Sequence, residues 1–240
     1  AQWLGLVYTL CLLRRRHAEV LPHLHWRAAL PGVQSRRFFS VNADIFVRSF
    51  LLMSVNLAVV SIGARSGDLL LAVNALIQQL NVLYAYLLDG VAFAGEALVG
   101  KYYGAADEKR LRRCVRHLFA WAGVVTLLFT VAYLRPDVVF GLLTDDRTVV
   151  AATVDFRWWC VALPLSGMAA YVWDGVFIGL TRSRGMLVAV ALATALFFVV
   201  YYATAPLLGN HALWLAFVVD HVARGLAQTA DYYRNRLYRC

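Results

Sequence analysis

The chain has 240 residues, of which 61% are hydrophobic and only 15% charged, with a mean hydropathy of +0.63. Soluble domains of this size carry about 25% charged residues because they must present a wetted surface. A water-soluble globule is therefore excluded, and the surplus apolar surface must face lipid or a partner. The net charge of +9 does not signal nucleic-acid binding, since no fold motif for it is present and the Lys and Arg residues avoid the apolar runs.

Residues 1–13 are apolar and are followed by Arg14, Arg15 and Arg16. A helix needs about 20 apolar residues to cross hydrocarbon, and a signal peptide places its charges before the apolar stretch. The stretch is expected to be the end of a truncated transmembrane helix, and the chain a fragment. Residues 14–41 read as a basic cytoplasmic linker; His17, His23 and His25 within it read as solvated or headgroup-contacting groups. Six spans follow within 42–228, at roughly 44–62, 68–98, 117–134, 149–180, 186–208 and 211–226, and residues 229–240 form a cytoplasmic tail. The fold class is all-α: a polytopic transmembrane helix bundle. The second and fourth spans exceed the bilayer, so they tilt, bend or project. Pro164 and Gly167 mark the place where the fourth can bend.

Charge sets the orientation. Eighteen Lys and Arg residues fall in 14–37, 101–116, 182–184 and the tail from Arg224, against three in the opposite loops (Arg65, Arg135 and Arg147), while Arg48 and Arg157 lie inside spans. The asymmetry puts residues 14–41 and the C-terminus in the cytoplasm of a cell-membrane protein. Cys11, Cys114, Cys160 and Cys240 have no ligand spacing, and no phosphate loop, nucleophile elbow or zinc motif appears. Neither an enzyme nor a metal or cofactor site is expected.

Polar residues at membrane depth are the informative ones, because an Asp, Arg or Lys there costs about 2.5–3.5 kcal/mol on insertion scales. In the second span, Asn74, Gln78, Asn81, Asp89 and Glu96 share a stripe about 80° wide at 100° per residue. Such a stripe is either the wall of an aqueous or ion-accessible cavity or the glue of a helix contact. Asp89 is the stronger ion-site candidate and Glu96 the more interfacial. Asp44 and Arg48, four apart, are expected to pair, as a structural ion pair or as a gate or proton relay. Asp174 lies in an apolar helix with Tyr171 and Gly167 on the same face, which marks either a substrate or ion pathway or a buried structural hydrogen bond.

Three stretches together carry a family likeness. Asn42-Ala43-Asp44-Ile45-Phe46-Val47-Arg48 opens the first span, Leu88-Asp89-Gly90-Val91-Ala92-Phe93-Ala94-Gly95-Glu96 runs on to Tyr103-Gly104-Ala105, and Trp173-Asp174-Gly175-Val176-Phe177-Ile178-Gly179 lies in the fourth. With their spacing they resemble the DinF branch of the MATE (multidrug and toxic compound extrusion) transporters over nearly the whole chain. The resemblance implies twelve helices in two six-helix lobes, with the six spans matching helices seven to twelve, residues 1–13 the end of helix six and 14–41 the inter-lobe linker. It implies export of cationic or amphipathic small molecules in antiport with H⁺ or Na⁺, with the absent N-terminal lobe and the lipid bilayer as partners. The acid that better-known branches carry in helix seven has no counterpart in 50–60, and their helix-ten acid falls near Tyr171, about a turn before Asp174. DinF-type members are thought to use an acid in helix one. A lipid-linked oligosaccharide flippase of the same superfamily would need more cations toward the cavity than Arg48 and Arg157. A seven-span receptor would need a complete first span.

Overall fold

The computed structural model describes residues 2–16 and 33–234, and every regular element among them is helical. The chain divides into two compact units, Ala1–Asn42 and Ala43–Cys240. In the first, helix α1 (Gln2–Arg16) ends on Arg14, Arg15 and Arg16, cations at the end where the helix dipole is negative. Its apolar side chains from Trp3 to Leu12 are largely exposed. His17, His23 and His25 lie outside the described residues. Within the linker expected over 14–41, α1 continues through Arg16, and the next helix, α2 (Val33–Arg65), takes in the last nine residues.

The second unit contains the rest of α2, then α3 (Asp68–Gly104), α4 (Glu108–Tyr133), the short α5 (Pro136–Gly141) and α6 (Arg147–Thr153), a 3₁₀ turn (Val154–Phe156), α7 (Arg157–Gly179), α8 (Ser183–Leu208) and α9 (His211–Arg234). Asp107 and Asp146 start α4 and α6 by accepting backbone N–H groups of Arg110, and of Thr148 and Val149, which satisfies donors that the first helical turn leaves free. Helix α3 and the 147–179 segment are longer than a bilayer requires, at 37 and 33 residues.

Among the described residues, five helical segments are long and apolar enough to cross a membrane. The sixth expected span, α9, has 24 residues but fails on composition, because Asp220, His221 and Arg224 sit inside it. It also continues past Leu226 to Arg234. Arg224, counted above with the cytoplasmic tail, is thus a buried helical residue with 4% exposure. Helix α7 passes through Pro164 without ending, and a 3₁₀ turn precedes it in the fourth span.

Helices α3 and α7 cross at glycines. A Cβ on Gly175 would stand 2.2 Å from the carbonyl oxygen of Ala92, and one on Gly179 would stand 2.8 Å from that of Glu96. Gly and Ala at such crossings let backbones approach closely, which is how helices associate where no hydrophobic effect drives them. Polar ties reinforce the contact. The Tyr84 hydroxyl bonds the Pro164 carbonyl at 2.9 Å and the Thr126 hydroxyl at 2.8 Å, joining α3, α7 and α4. Two apolar clusters result: one around Ile77, Leu80, Phe197 and Trp214, the other around Leu88, Val172, Trp173, Phe177 and Met186.

Candidate functional site

Where α2, α3, α7 and α9 meet, the lining turns polar and encloses a cleft of about 380 Å³. Helix α3 contributes Gln78, Asn81 and Asp89 from the predicted stripe, and α2 adds Asn56. Helix α7 presents Tyr171, and α9 presents Asp220, His221 and Arg224. Asn81, Asp220, His221 and Arg224 are all buried.

Local sequence explains how these groups fit. On α9, Asp220, Arg224 and Gln228 recur every four residues and so share one face. Gly167 of α7 leaves room for the imidazole, since a Cβ there would stand 2.9 Å from His221 Cδ2. His221 Nδ1 lies 2.9 Å from the Phe217 carbonyl, and its Nε2 lies 3.3 Å from the Tyr171 hydroxyl. A carbonyl only accepts, so Nδ1 carries the hydrogen and Nε2 accepts from the tyrosine. The Arg224 guanidinium carbon sits 5.3 Å over the Tyr171 ring, within cation–π range.

Several buried polar atoms of this cleft have no hydrogen-bond partner among the described residues: Gln78 Oε1, Asn81 Oδ1, Asp220 Oδ1, and Arg224 Nε and Nη2. Burying a polar group without a hydrogen bond costs roughly 1–3 kcal/mol by protein mutational measures. Acceptors and donors left free around one cleft suit a guest that both donates and accepts, such as a hydrated ion or a polar headgroup.

Charge also ties the helices together outside the cleft's lining. Asp174 accepts from Arg48 of α2 and, at 2.7 Å, from Gln228 Nε2 of α9. The expected Asp44–Arg48 pair is not made. Asp44 instead accepts from Ser183 Oγ at 2.8 Å and faces Arg184 at 3.5 Å. Spacing of four allows a pair but does not compel it. Asp44 meets the positive N-terminal end of α8, which frees Arg48 to neutralise Asp174. Asp174 is accordingly a paired strut between three helices, not the lone carboxylate the sequence suggested.

The predicted stripe on α3 divides in three. Gln78, Asn81 and Asp89 line the cleft, and Gln78 donates to Asn56 Oδ1 at 2.6 Å. Asn74 lies away from it, exchanging two bonds of 2.9 Å with Asn210 and accepting from Trp214 Nε1 at 3.0 Å. It joins α3 to α9. Glu96 is half-buried and is not among the cleft's lining residues. Sequence reasoning missed Asp220, His221, Arg224 and Gln228, although their spacing on α9 was the same kind of signal that exposed the stripe on α3.

A model of the MatE family matches residues 45–204. DNA damage-inducible protein F of Escherichia coli K12 is 40% identical over 201 residues, which is 83% of this chain and 44% of that protein. The chain belongs to the MatE family. It spans less than half the length of that curated relative. A solved MOP superfamily transporter from Pyrococcus furiosus, whose description assigns that protein a binding pocket of reverse polarity, superposes with a TM-score of 0.68. It covers 81% of this chain and 44% of its own, at 15% identity, so it shows a shared fold. The likeness to the DinF branch and the all-helical membrane fold are thus established, and this MatE protein is a multi-pass membrane protein. Its MatE match takes in Arg48, Asp89 and Asp174 but ends before α9, which carries Asp220 and Arg224, two of the three charged residues that line the cleft.

Proposed function

We propose that this chain forms the C-terminal, six-helix lobe of a secondary active exporter, which moves cationic or amphipathic small molecules outward in antiport with H⁺ or Na⁺. The lobe rocks against an N-terminal partner lobe around a central cavity. Residues 14–41 and the C-terminus face the cytoplasm. With Arg224 removed from the loops, seventeen basic residues still stand against three, and that bias supports the orientation.

The observation that carries the reading is Asp89, a carboxylate on the wall of a cleft that also presents Asn81, Asp220, His221 and Arg224 among apolar side chains such as Leu52, Val55 and Phe217. No hydrogen bond or ion pair holds it among the described residues, whereas Asp44 and Asp174 are both engaged. A carboxylate free to exchange its partner for a proton or cation is what antiport requires of an intramembrane acid. Asp89, Asp174 and Asp220 set against Arg48 and Arg224 leave one negative charge in excess when all are ionised, which favours a cationic guest. The test is transport by the full-length protein in proteoliposomes under separate Na⁺ and pH gradients. Asp89→Asn should abolish the coupled component while leaving expression and folding intact, and full coupled transport in this variant overturns the role of Asp89.

Arg224 supports a second reading. Its unpartnered Nε and Nη2 face the same cleft, adding the cavity cation that a flippase for lipid-linked, anionic oligosaccharides would need. Counter-flow of an organic cation against a phosphorylated amphiphile separates the two.

A further inference from the structure

Outside the cleft, a second feature is built from two facing helix stripes. Helices α3 and α4 run antiparallel and leave between them a groove of about 750 Å³ that opens to the outer surface. Leu87, Gly90, Ala94 and Leu98 lie along its α3 wall, with Tyr102 at one end. They are spaced three and four apart and so occupy one face. On α4 the facing stripe is Arg110, Arg113, His117 and Trp121, again one face. Gly90 keeps the groove open, because a Cβ built there meets nothing within 4 Å.

The two ends differ in chemistry. From Tyr102 to Leu87 the groove follows fifteen residues of helix, about 22 Å at 1.5 Å per residue. One leaflet of hydrocarbon is about 15 Å deep. The deep part is apolar. The end beside the α3–α4 turn carries three basic side chains. Arg110 is partly satisfied by Asp107 at 3.2 Å, whereas Arg113 and His117 have no ion pair or hydrogen bond among the described residues. Both are exposed, as is Trp121 at 66%. A neighbouring helix would meet apolar and small residues along the groove but gain nothing from cations gathered at one end. A molecule with one long apolar tail and a negative head matches both ends at once.

We propose that the α3–α4 groove is a binding site for an anionic phospholipid, its acyl chain lying over Gly90 and Ala94 and its phosphate held by Arg113 and His117. Arg113 and His117 are one turn apart on α4; a Lys or Arg at this level attracts acidic headgroups strongly enough to give about fivefold in affinity, and the imidazole adds a hydrogen-bond donor. Trp121, one turn deeper, lies beside the upper acyl chain and reports its arrival.

The experiment uses full-length protein in nanodiscs containing brominated phosphatidylglycerol or brominated phosphatidylcholine. The quenching owed to Trp121 is read as the difference between the wild type and Trp121→Phe. Phosphatidylglycerol should reach half-maximal quenching at a mole fraction five- to thirtyfold lower than phosphatidylcholine. Arg113→Gln with His117→Gln should erase that preference, and Arg113→Lys should retain most of it. Gly90→Leu, which fills the tail's place, should weaken quenching by both lipids alike. Equal quenching by the two lipids means ordinary annular lipid and overturns the proposal. So does a preference that survives the double substitution, and so does no quenching at Trp121 by either lipid, the result expected if another helix covers the groove. Arg113 and His117 are surface residues, so these variants remain interpretable even where Gly90→Leu fails to fold.

Discussion

Two glycine-to-alanine substitutions, both inside helices, should move stability in opposite directions. At Gly175 the added Cβ would stand 2.2 Å from the Ala92 carbonyl oxygen and 2.7 Å from its carbonyl carbon. Carbon–oxygen contacts across packed helices normally lie at about 3.3–3.6 Å, so the α3–α7 crossing must open by more than about 1 Å. The atoms on the far side are backbone and cannot rotate away. Overpacking of this kind costs about 1–3 kcal/mol and sometimes more, and the missing freedom to yield puts Gly175 at the upper end. Alanine recovers about 1 kcal/mol of helix propensity, leaving a net loss of about 2 kcal/mol. At Gly90 an added Cβ meets nothing, so the propensity gain stands alone. For a domain of 150–250 residues, about 2–4 °C of Tm corresponds to 1 kcal/mol. Gly175→Ala should therefore lower Tm by about 4–8 °C and Gly90→Ala raise it by about 2–4 °C. The assay is thermal unfolding of purified protein in one detergent. Shifts of the same sign, or a Gly175→Ala protein as stable as the wild type, would refute close backbone packing as the basis of the α3–α7 interface.

Breaking the half-buried Arg48–Asp174 pair from one side leaves a charge without its counter-ion, at a cost of about 1–3 kcal/mol; Arg48→Gln and Asp174→Asn should each destabilise the protein, while the double variant loses less than their sum, with a coupling of about 1–3 kcal/mol in a double-mutant cycle. Additive losses would show that the two side chains do not pair. Asn74→Ala strips partners from buried Trp214 Nε1 and from Asn210, and should cost about 2–4 kcal/mol in thermal or denaturant unfolding; transport per folded molecule should be unaffected, since Asn74 lies off the cleft.

How far the sequence could be read depends on whether a signal lies within one helix or between several. Apolar runs and their lengths are properties of single segments, so the helices were legible and so was the stripe that brings Gln78, Asn81 and Asp89 to the cleft. The partners of Arg48 and Asp44 were not, because a spacing of four inside α2 competes with Asp174 on α7 and Ser183 on α8, and only packing decides between them. Asn74 shows the same limit: a polar residue facing inward is a tie or a cavity wall according to what another helix sets against it, here Asn210 and Trp214. Arg224 was hidden by position. A positive charge near the end of the last apolar run looks like an interfacial anchor, and only its burial beside Tyr171 shows that the helix continues around it.

The charges on α9 also bear on how the protein is made. A translocating helix partitions into lipid according to its own composition, and each Asp or Arg near its centre opposes entry by about 2.5–3.5 kcal/mol. Asp220 and Arg224 together set α9 against insertion as a solitary segment. The partners of its polar face, Asp174 for Gln228 and Tyr171 for His221 and Arg224, lie on α7, and Trp214 donates to Asn74 of α3; both helices are synthesised earlier. The last helix is thus expected to enter the membrane as a client of the earlier ones, retained beside the translocon until α7 can receive it. Substitutions on α7 that leave the apolar faces untouched would then surface as errors in the topology of α9.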